Sequence, residues 1–393
     1  MSTVLALTAY ILMHGIVKIF EVFTDYPIVS DKCEGRLIGF HDLESQREVT
    51  KSQLSKFTHL VLYPLVIQAN GTFDFRTSNE KQNFKTVIRK AKFTSVKTMF
   101  SIWDMNYSYK IINDIVEDVE KRRIFINAIA SFIKDNQLDG VDIYWRWAQT
   151  EEEAVHFLDF CKELREKLAE FNGAFILSVT FDPHYLHYST NFADVFKYVN
   201  FMNVNTKNFY GAWISRSPQL IGPSSPLYSG HGKYQYENLD QTMKYYACET
   251  NRPYRFNVMV EFTGRTWNNV IIPNDTSSTL WMTAEMKDGK VEGDSFTYRG
   301  LPSYGWNITS ASWNDESKTP YIWKPDQRTY LTFENDRSLE EKTRYLIGKN
   351  IGGLAVWKFV NDDEKSTLMS VLAAANLCSG KNNTIVKYNC DHV

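Results

Sequence analysis

Short β-rich runs alternate with stretches of helical spacing along most of the chain. This alternation constrains the fold more than any other feature. The runs fall at residues 36–40, 59–67, 95–102, 140–145, 175–180, 199–205, 257–261 and 353–357. Pro64 inside the second run signals a bend or bulge, because proline cannot donate to a sheet ladder. Between the runs lie helical patterns at residues 122–136, 151–171, 338–349 and 362–377. The helix at 151–171 opens with three Glu, suited to the positive end of a helix dipole. The helix at 338–349 is expected to start on Ser338 as N-cap, with Glu341 completing a capping box. Apolar strands separated by helices argue for a parallel sheet covered on its faces. Eight such units argue for an α/β protein built as a closed (β/α)8 TIM barrel. The stretch 270–335 breaks the rhythm with Trp, Tyr, Gly, Asn and Thr. It reads as a small α+β insertion between strands seven and eight.

The chain has 393 residues, of which 43% are hydrophobic, enough for one large core. Its net charge of -2 supplies no basic field, so nucleic acid is not an expected partner. Residues 4–20 form an apolar run broken by His14 and Lys18, short for a membrane span. Residues 1–25 therefore read as a cleaved signal peptide, an uncleaved signal anchor or a buried segment. The first two readings place the protein outside the cell or tethered to its surface, with membrane contact only through this segment. Glycosylation sequons at Asn70, Asn106, Asn274, Asn307 and Asn382 agree with secretion. Cys161 sits on an apolar helix face and reads as a buried thiol. Cys33, Cys248, Cys378 and Cys390 allow three pairings; Cys378 with Cys390 would close a short loop in the tail 378–393, leaving Cys33 with Cys248. The alternative is that all stay reduced. The cysteine spacings fit no zinc motif, and no metal or cofactor is expected.

The fourth run reads Asp139-Gly-Val-Asp-Ile-Tyr-Trp-Arg-Trp147. Alternate strand positions share a face, so Asp142, Tyr144 and Arg146 point the same way. This run resembles the strand-four signature of glycoside hydrolase family 18, the chitinases and chitinase-like lectins, which is Asp-Gly-x-Asp-x-Asp-x-Glu. Four further stretches resemble the family in the right order: Lys97-Thr-Met-Phe-Ser101, Pro226-Leu-Tyr228, Gly264-Arg265 and Gly352-Gly-Leu-Ala-Val-Trp357. The resemblance covers residues 33–377. It implies a chitinase barrel in which a Glu protonates the leaving oxygen, a neighbouring Asp orients the substrate's acetamide, a Tyr-Asp pair after strand six holds it, and Trp357 floors the sugar site.

The departures fall on those roles. The acid position holds Arg146 and the orienting position holds Tyr144. The Met-x-Tyr-Asp segment aligns with Asn205-Thr-Lys207-Asn208, and the Tyr after strand seven aligns with Thr263. A glycine pair on strand three aligns with Trp103 and Asp104. Arginine cannot give up its proton at any working pH. The resemblance therefore implies a chitinase-like protein without catalysis, binding chitin or N-acetylglucosamine oligomers. Candidate ligand-binding residues are Trp357, Trp103, Lys207, Asn208 and Trp213, with Trp267 and Trp281 on presumed upper loops. The other readings are a protein-binding scaffold with a plugged cleft and a residual glycosidase. Asp139 is expected to brace its strand, Asp142 to pair with Arg146, and Trp145 to lie in the core or wall.

Overall fold

The computed structural model describes residues 35–103, 110–145, 150–171, 174–183, 191–212, 220–228, 235–272, 281–377 and 386–390. Eight parallel strands form the centre: β1 (Arg36–Asp42), β2 (His59–Ile67), β3 (Lys97–Trp103), β4 (Gly140–Tyr144), β5 (Ile176–Phe181), β6 (Phe201–Val204), β7 (Phe256–Glu261) and β8 (Gly353–Trp357). Each pairs with the next, and β8 pairs with β1, so the sheet closes into a barrel. Helices follow the strands, among them Ser78–Ala91, Val119–Asn136, Glu151–Phe171, Leu239–Thr250, Asp336–Gly348 and Thr367–Ala374.

The two-residue period of each strand divides its side chains between two cores. On β4, Val141 and Ile143 join the large apolar layer between sheet and helices. The alternate positions of the strands fill the barrel interior with Ile38, Phe40, Val61, Tyr63, Met99, Phe201, Met259 and Ala355. Gly140 is required where it stands: a Cβ there would lie 2.2 Å from the Ile176 carbonyl oxygen. At Pro64 the β2–β3 register shifts between Leu62 and Leu65, the bulge expected from the proline.

Three expectations are corrected. The helix placed at 338–349 starts earlier, at Asp336, and its N-cap is Asn335. Asn335 accepts from the Ser338 backbone, and the Ser338 hydroxyl answers as the third helical residue, so Ser338 is the partner in the capping box rather than the cap. The insertion begins at Thr263, directly after β7, rather than at 270. Its five-stranded antiparallel sheet runs Ser295–Thr297, Thr263–Trp267, Thr329–Thr332, Thr319–Lys324, Ser312–Asn314. Among its described residues the helical turns are all 3-10 (Tyr298–Tyr304, Ile308–Ser310, Pro325–Gln327), so no α-helix supports the α+β description there. Finally, Cys248 is bonded to Cys390, not to Cys33. This bond ties the C-terminal tail to the Leu239–Thr250 helix; Cys33 and Cys378 lie outside the described residues. Cys161 is a buried free thiol, and burial pushes its pKa up.

The N-terminal residues 1–34 lie outside the described residues, and among those described no helix is long and apolar enough to cross a membrane. Asn70 and Asn307 are exposed, each with its side-chain oxygen accepting from the hydroxyl of the sequon's Thr. Asn106, Asn274 and Asn382 are outside the described residues.

Candidate functional site at the barrel mouth

A directed chain of hydrogen bonds runs up the barrel axis and organises the polar part of its interior. At the bottom, Arg36 from β1 donates to Asn257 Oδ1 at 2.8 Å. Asn257 donates to Asn203 Oδ1 at 2.8 Å, and Asn203 donates to Thr180 Oγ1 at 3.0 Å and Asp142 Oδ1 at 3.3 Å. The strand register brings Ser101 and Ser178 level with Asp142 on either side. Their hydroxyls donate to it at 2.9 and 2.7 Å, and Thr180 adds a bifurcated bond at 2.9 and 3.0 Å. Asp142 is fully buried, so desolvation raises its pKa against the pull of these donors. Among the described residues the partners of Asp142 are neutral, and the nearest cation in its network is Arg36, two amides away. Aligned hydrogen bonds of this kind polarise one another. Arg146 itself lies outside the described residues. Asp139, at the start of β4, accepts from the Thr98 backbone at 2.6 Å and from the Thr98 hydroxyl at 3.2 Å, bracing β3 against β4.

Above this layer, at the C-terminal ends of the strands, the mouth is aromatic. Trp357 stacks on Tyr63 with centroids 4.4 Å apart and meets Trp103 edge-on at 5.4 Å. Trp103 lies 5.0 Å from Tyr144. Trp103, Tyr144 and Trp357 are each partly exposed. The C-terminal ends of barrel strands are where such folds place their sites. Tyr63 was not singled out in the sequence because the bulge at Pro64 hides its inward register.

Charged groups ring the aromatic floor. The Tyr144 hydroxyl donates to both oxygens of Asp182 at 3.2 Å, and Asn205 also donates to Asp182. Glu261, at the end of β7, is gripped by Arg265 through Nε at 3.0 Å and Nη2 at 2.8 Å, with Ser224 adding a third bond at 2.9 Å. Burial raises the Glu261 pKa, but the charges of Arg265 and Lys207 and the hydrogen bonds of Arg265 and Ser224 outweigh it, and the net shift is downward. Asn208, held in the left-handed region at φ 65°, accepts from Arg265 at 3.1 Å. Lys358 pairs with Asp42 at 2.7 Å. Lys207 is only 6% exposed, and its ammonium sits 4.7 Å from the centre of the Trp357 ring.

The structure therefore brings Trp103, Tyr144, Lys207, Asn208 and Trp357 to one mouth. Trp267 does not reach it: it is fully buried in the insertion's own core with Tyr330. Trp281 packs on Tyr210 in that same core. Trp145 is buried and stacked on Phe157 at 3.6 Å, in the layer between barrel and helices. Trp213 and Asp104 are outside the described residues. Asp182 and Glu261 complete the mouth. Their signal was the inward strand period continued to the strand ends.

Comparison with known proteins gives a match to "Glycosyl hydrolases family 18" over residues 36–362. A probable endochitinase of Caenorhabditis elegans is 23% identical over 288 residues, covering 70% of this chain and 45% of that protein. The chain thus spans less than half the length of that relative. Human Chitinase-3-like protein 2 is 22% identical over 343 residues, covering 82% of this chain and 84% of its own. The solved structure of YKL-39, determined in the presence of chitooligosaccharides, superposes with a TM-score of 0.73 at 20% identity, covering 86% of this chain and 98% of that one. The closed eight-stranded barrel and the match over most of its length place this chain in glycosyl hydrolase family 18.

Proposed function

We propose that this protein is a chitinase-like barrel without hydrolytic activity that binds N-acetylglucosamine oligosaccharides at its mouth. One observation carries the reading. Partly exposed Trp103, Tyr144 and Trp357 offer apolar ring faces, while the described carboxylates around them are engaged. Asp142 is sealed by hydroxyls and an amide, Asp182 is held by Tyr144 and Asn205, and Glu261 is clamped by Arg265. Groups engaged in this way are poorly placed to protonate a glycosidic oxygen. The position that the family signature gives to the acid holds Arg146, whose guanidinium does not release a proton at any working pH. General acid catalysis contributes about 10²–10⁴-fold, so its loss alone removes useful turnover. The YKL-39 structure with chitooligosaccharides supports sugar binding by this kind of barrel.

The secretory setting is part of the same proposal. The Cys248–Cys390 bond favours an oxidising compartment, and the exposed sequons at Asn70 and Asn307 suit it.

A fluorogenic chito-oligosaccharide tests the absence of catalysis: no release above background is expected. The double variant Tyr144→Asp, Arg146→Glu is expected to stay inactive as well, because Lys207 and Asn208 still occupy the positions of the acetamide-holding pair. Clear turnover by the parent refutes the reading, and turnover by the variant refutes the claim that those two residues block recovery.

A second reading is a protein-binding scaffold whose sugar cleft is filled. The Lys207 ammonium on the Trp357 ring favours it, since that ring is the one a sugar would stack on. Binding of an N-acetylglucosamine oligomer to the parent excludes this reading.

A further inference from the structure

Lys207 has an unusual set of neighbours for a buried cation. A lysine ammonium carries three donors and no acceptor, and burying it without a partner costs several kcal/mol. Yet among the described residues its ammonium has no hydrogen-bonding acceptor: it sits 4.7 Å from the centre of the Trp357 ring, and the charges of Glu261 and Asp182 act on it only without direct contact. The nearby carboxylates make their hydrogen bonds and ion pairs with other groups. Arg265 holds Glu261, Lys358 holds Asp42 at 2.7 Å, and Tyr144 and Asn205 hold Asp182.

Four of the departures from the family signature, on strands four and six, share one electrostatic direction, while Asp104 in place of a strand-three glycine runs the other way. Tyr144 and Asn208 stand where it has Asp, Lys207 stands where it has Tyr, and Arg146 stands where it has Glu. Each removes negative charge from the site or adds positive charge to it.

We propose that Lys207 makes the mouth selective for acidic oligosaccharides, in which a carboxylate or sulfate sits beside a sugar ring that stacks on the aromatic wall. The inference rests on the reading of the mouth as a sugar site and names the ligand class. The anion supplies the acceptor oxygens that the fold withholds from Lys207. The neighbouring ring uses Trp103 and Tyr144, since Tyr63 and the Lys207 ammonium already lie against Trp357. Charge-assisted hydrogen bonds to an anion are shorter and stronger than neutral ones. A low-dielectric site strengthens them further.

The titration of Lys207 agrees. Burial lowers its pKa to about 8; Glu261 and Asp182 pull it up, while Arg265 and Lys358 push it down. It is mainly an ammonium at pH 7 and loses that charge as pH rises past 8, so affinity for an anion is lost over the same range.

The test compares two tetrasaccharides by calorimetric titration of the full chain. One alternates N-acetylglucosamine with glucuronate, and the other is neutral chitotetraose. The acidic ligand is expected to bind at least about tenfold more tightly. That preference is expected to weaken with added salt and between pH 7 and 9. Lys207→Met is expected to abolish it and Lys207→Arg to keep it. Equal affinity of the parent for both ligands overturns the inference and leaves the sugar-binding reading intact. Binding of neither ligand overturns both. Should Lys207→Met fail to fold, the salt and pH dependence of the parent decides: a preference insensitive to both contradicts a role for Lys207.

Discussion

At the scale of single residues, Lys207 is the position where stability and use pull apart. Its pKa falls from 10.5 unfolded to about 8 folded, because burial penalises the ammonium. Between those values the unfolded chain binds the extra proton, so this group's contribution to stability rises with pH from about 8 to about 10.5. At pH 7 the buried ammonium is a net cost. Lys207→Met is therefore expected to stabilise the protein at pH 7 by about 3.5 kcal/mol, at about 1.4 kcal/mol for each pKa unit. The gain should shrink toward pH 10. Chemical denaturation of parent and variant at both pH values checks this, and a destabilised variant at pH 7 contradicts it. In the sequence, Lys207 was visible only as a departure from a signature. Its lack of a hydrogen-bonding acceptor depends on Arg265, Lys358, Tyr144 and Asn205 binding the nearby carboxylates, and most of those pairings join residues far apart in sequence. Asp142 is the converse case. Its inward direction was legible from the two-residue period, but its partners come from β3, β5 and β6 and none is signalled locally. Arg146, the expected counter-ion of Asp142, lies outside the described residues.

At the scale of elements, the barrel strands were legible because each is a short β-rich run with an apolar face toward the helices, bounded by helical spacing. Bounds for β2 and β8 agree with the pattern at both ends. The cap of the Asp336–Gly348 helix was misplaced because Ser338 and Glu341 imitate a capping box one turn into the helix. The operating box pairs Asn335 with Ser338. Asn335→Ala is expected to cost about 1 kcal/mol by removing the acceptor of the Ser338 amide. Ser338→Ala should cost a comparable amount, since its hydroxyl also donates to buried Glu334 at 2.6 Å. Thermal melts of both variants check this. An unchanged midpoint in Asn335→Ala would restore the later start. The insertion's first strand, Thr263–Trp267, was missed for a related reason. It follows β7 after one residue, so the composition change that marks the insertion arrives only once its sheet has begun.

At the scale of the whole molecule, the barrel is closed by its own sheet, and the C-terminal tail is fastened to it separately. Cys248 and Cys390 are 142 residues apart in sequence. The Tyr388 hydroxyl donates to the Lys349 carbonyl beside the same tail. Cross-linking so long a loop restricts the unfolded chain, so Cys248→Ser is expected to lower stability by about 2–4 kcal/mol. The barrel should remain folded, because its core lies in the sheet and helices. Equilibrium unfolding with and without reductant checks this: a parent insensitive to reduction contradicts it. The distribution of function follows the same architecture. The lower barrel keeps a polar chain from Arg36 to Asp142, the upper barrel keeps the aromatic floor, and the charged groups between them have been rearranged. Titration calorimetry of the full chain with chitotetraose, followed by sizing of the recovered sugar, tests this account most directly. The account predicts saturable binding with the tetramer recovered intact. Shortened products, or no heat at millimolar ligand, would contradict it.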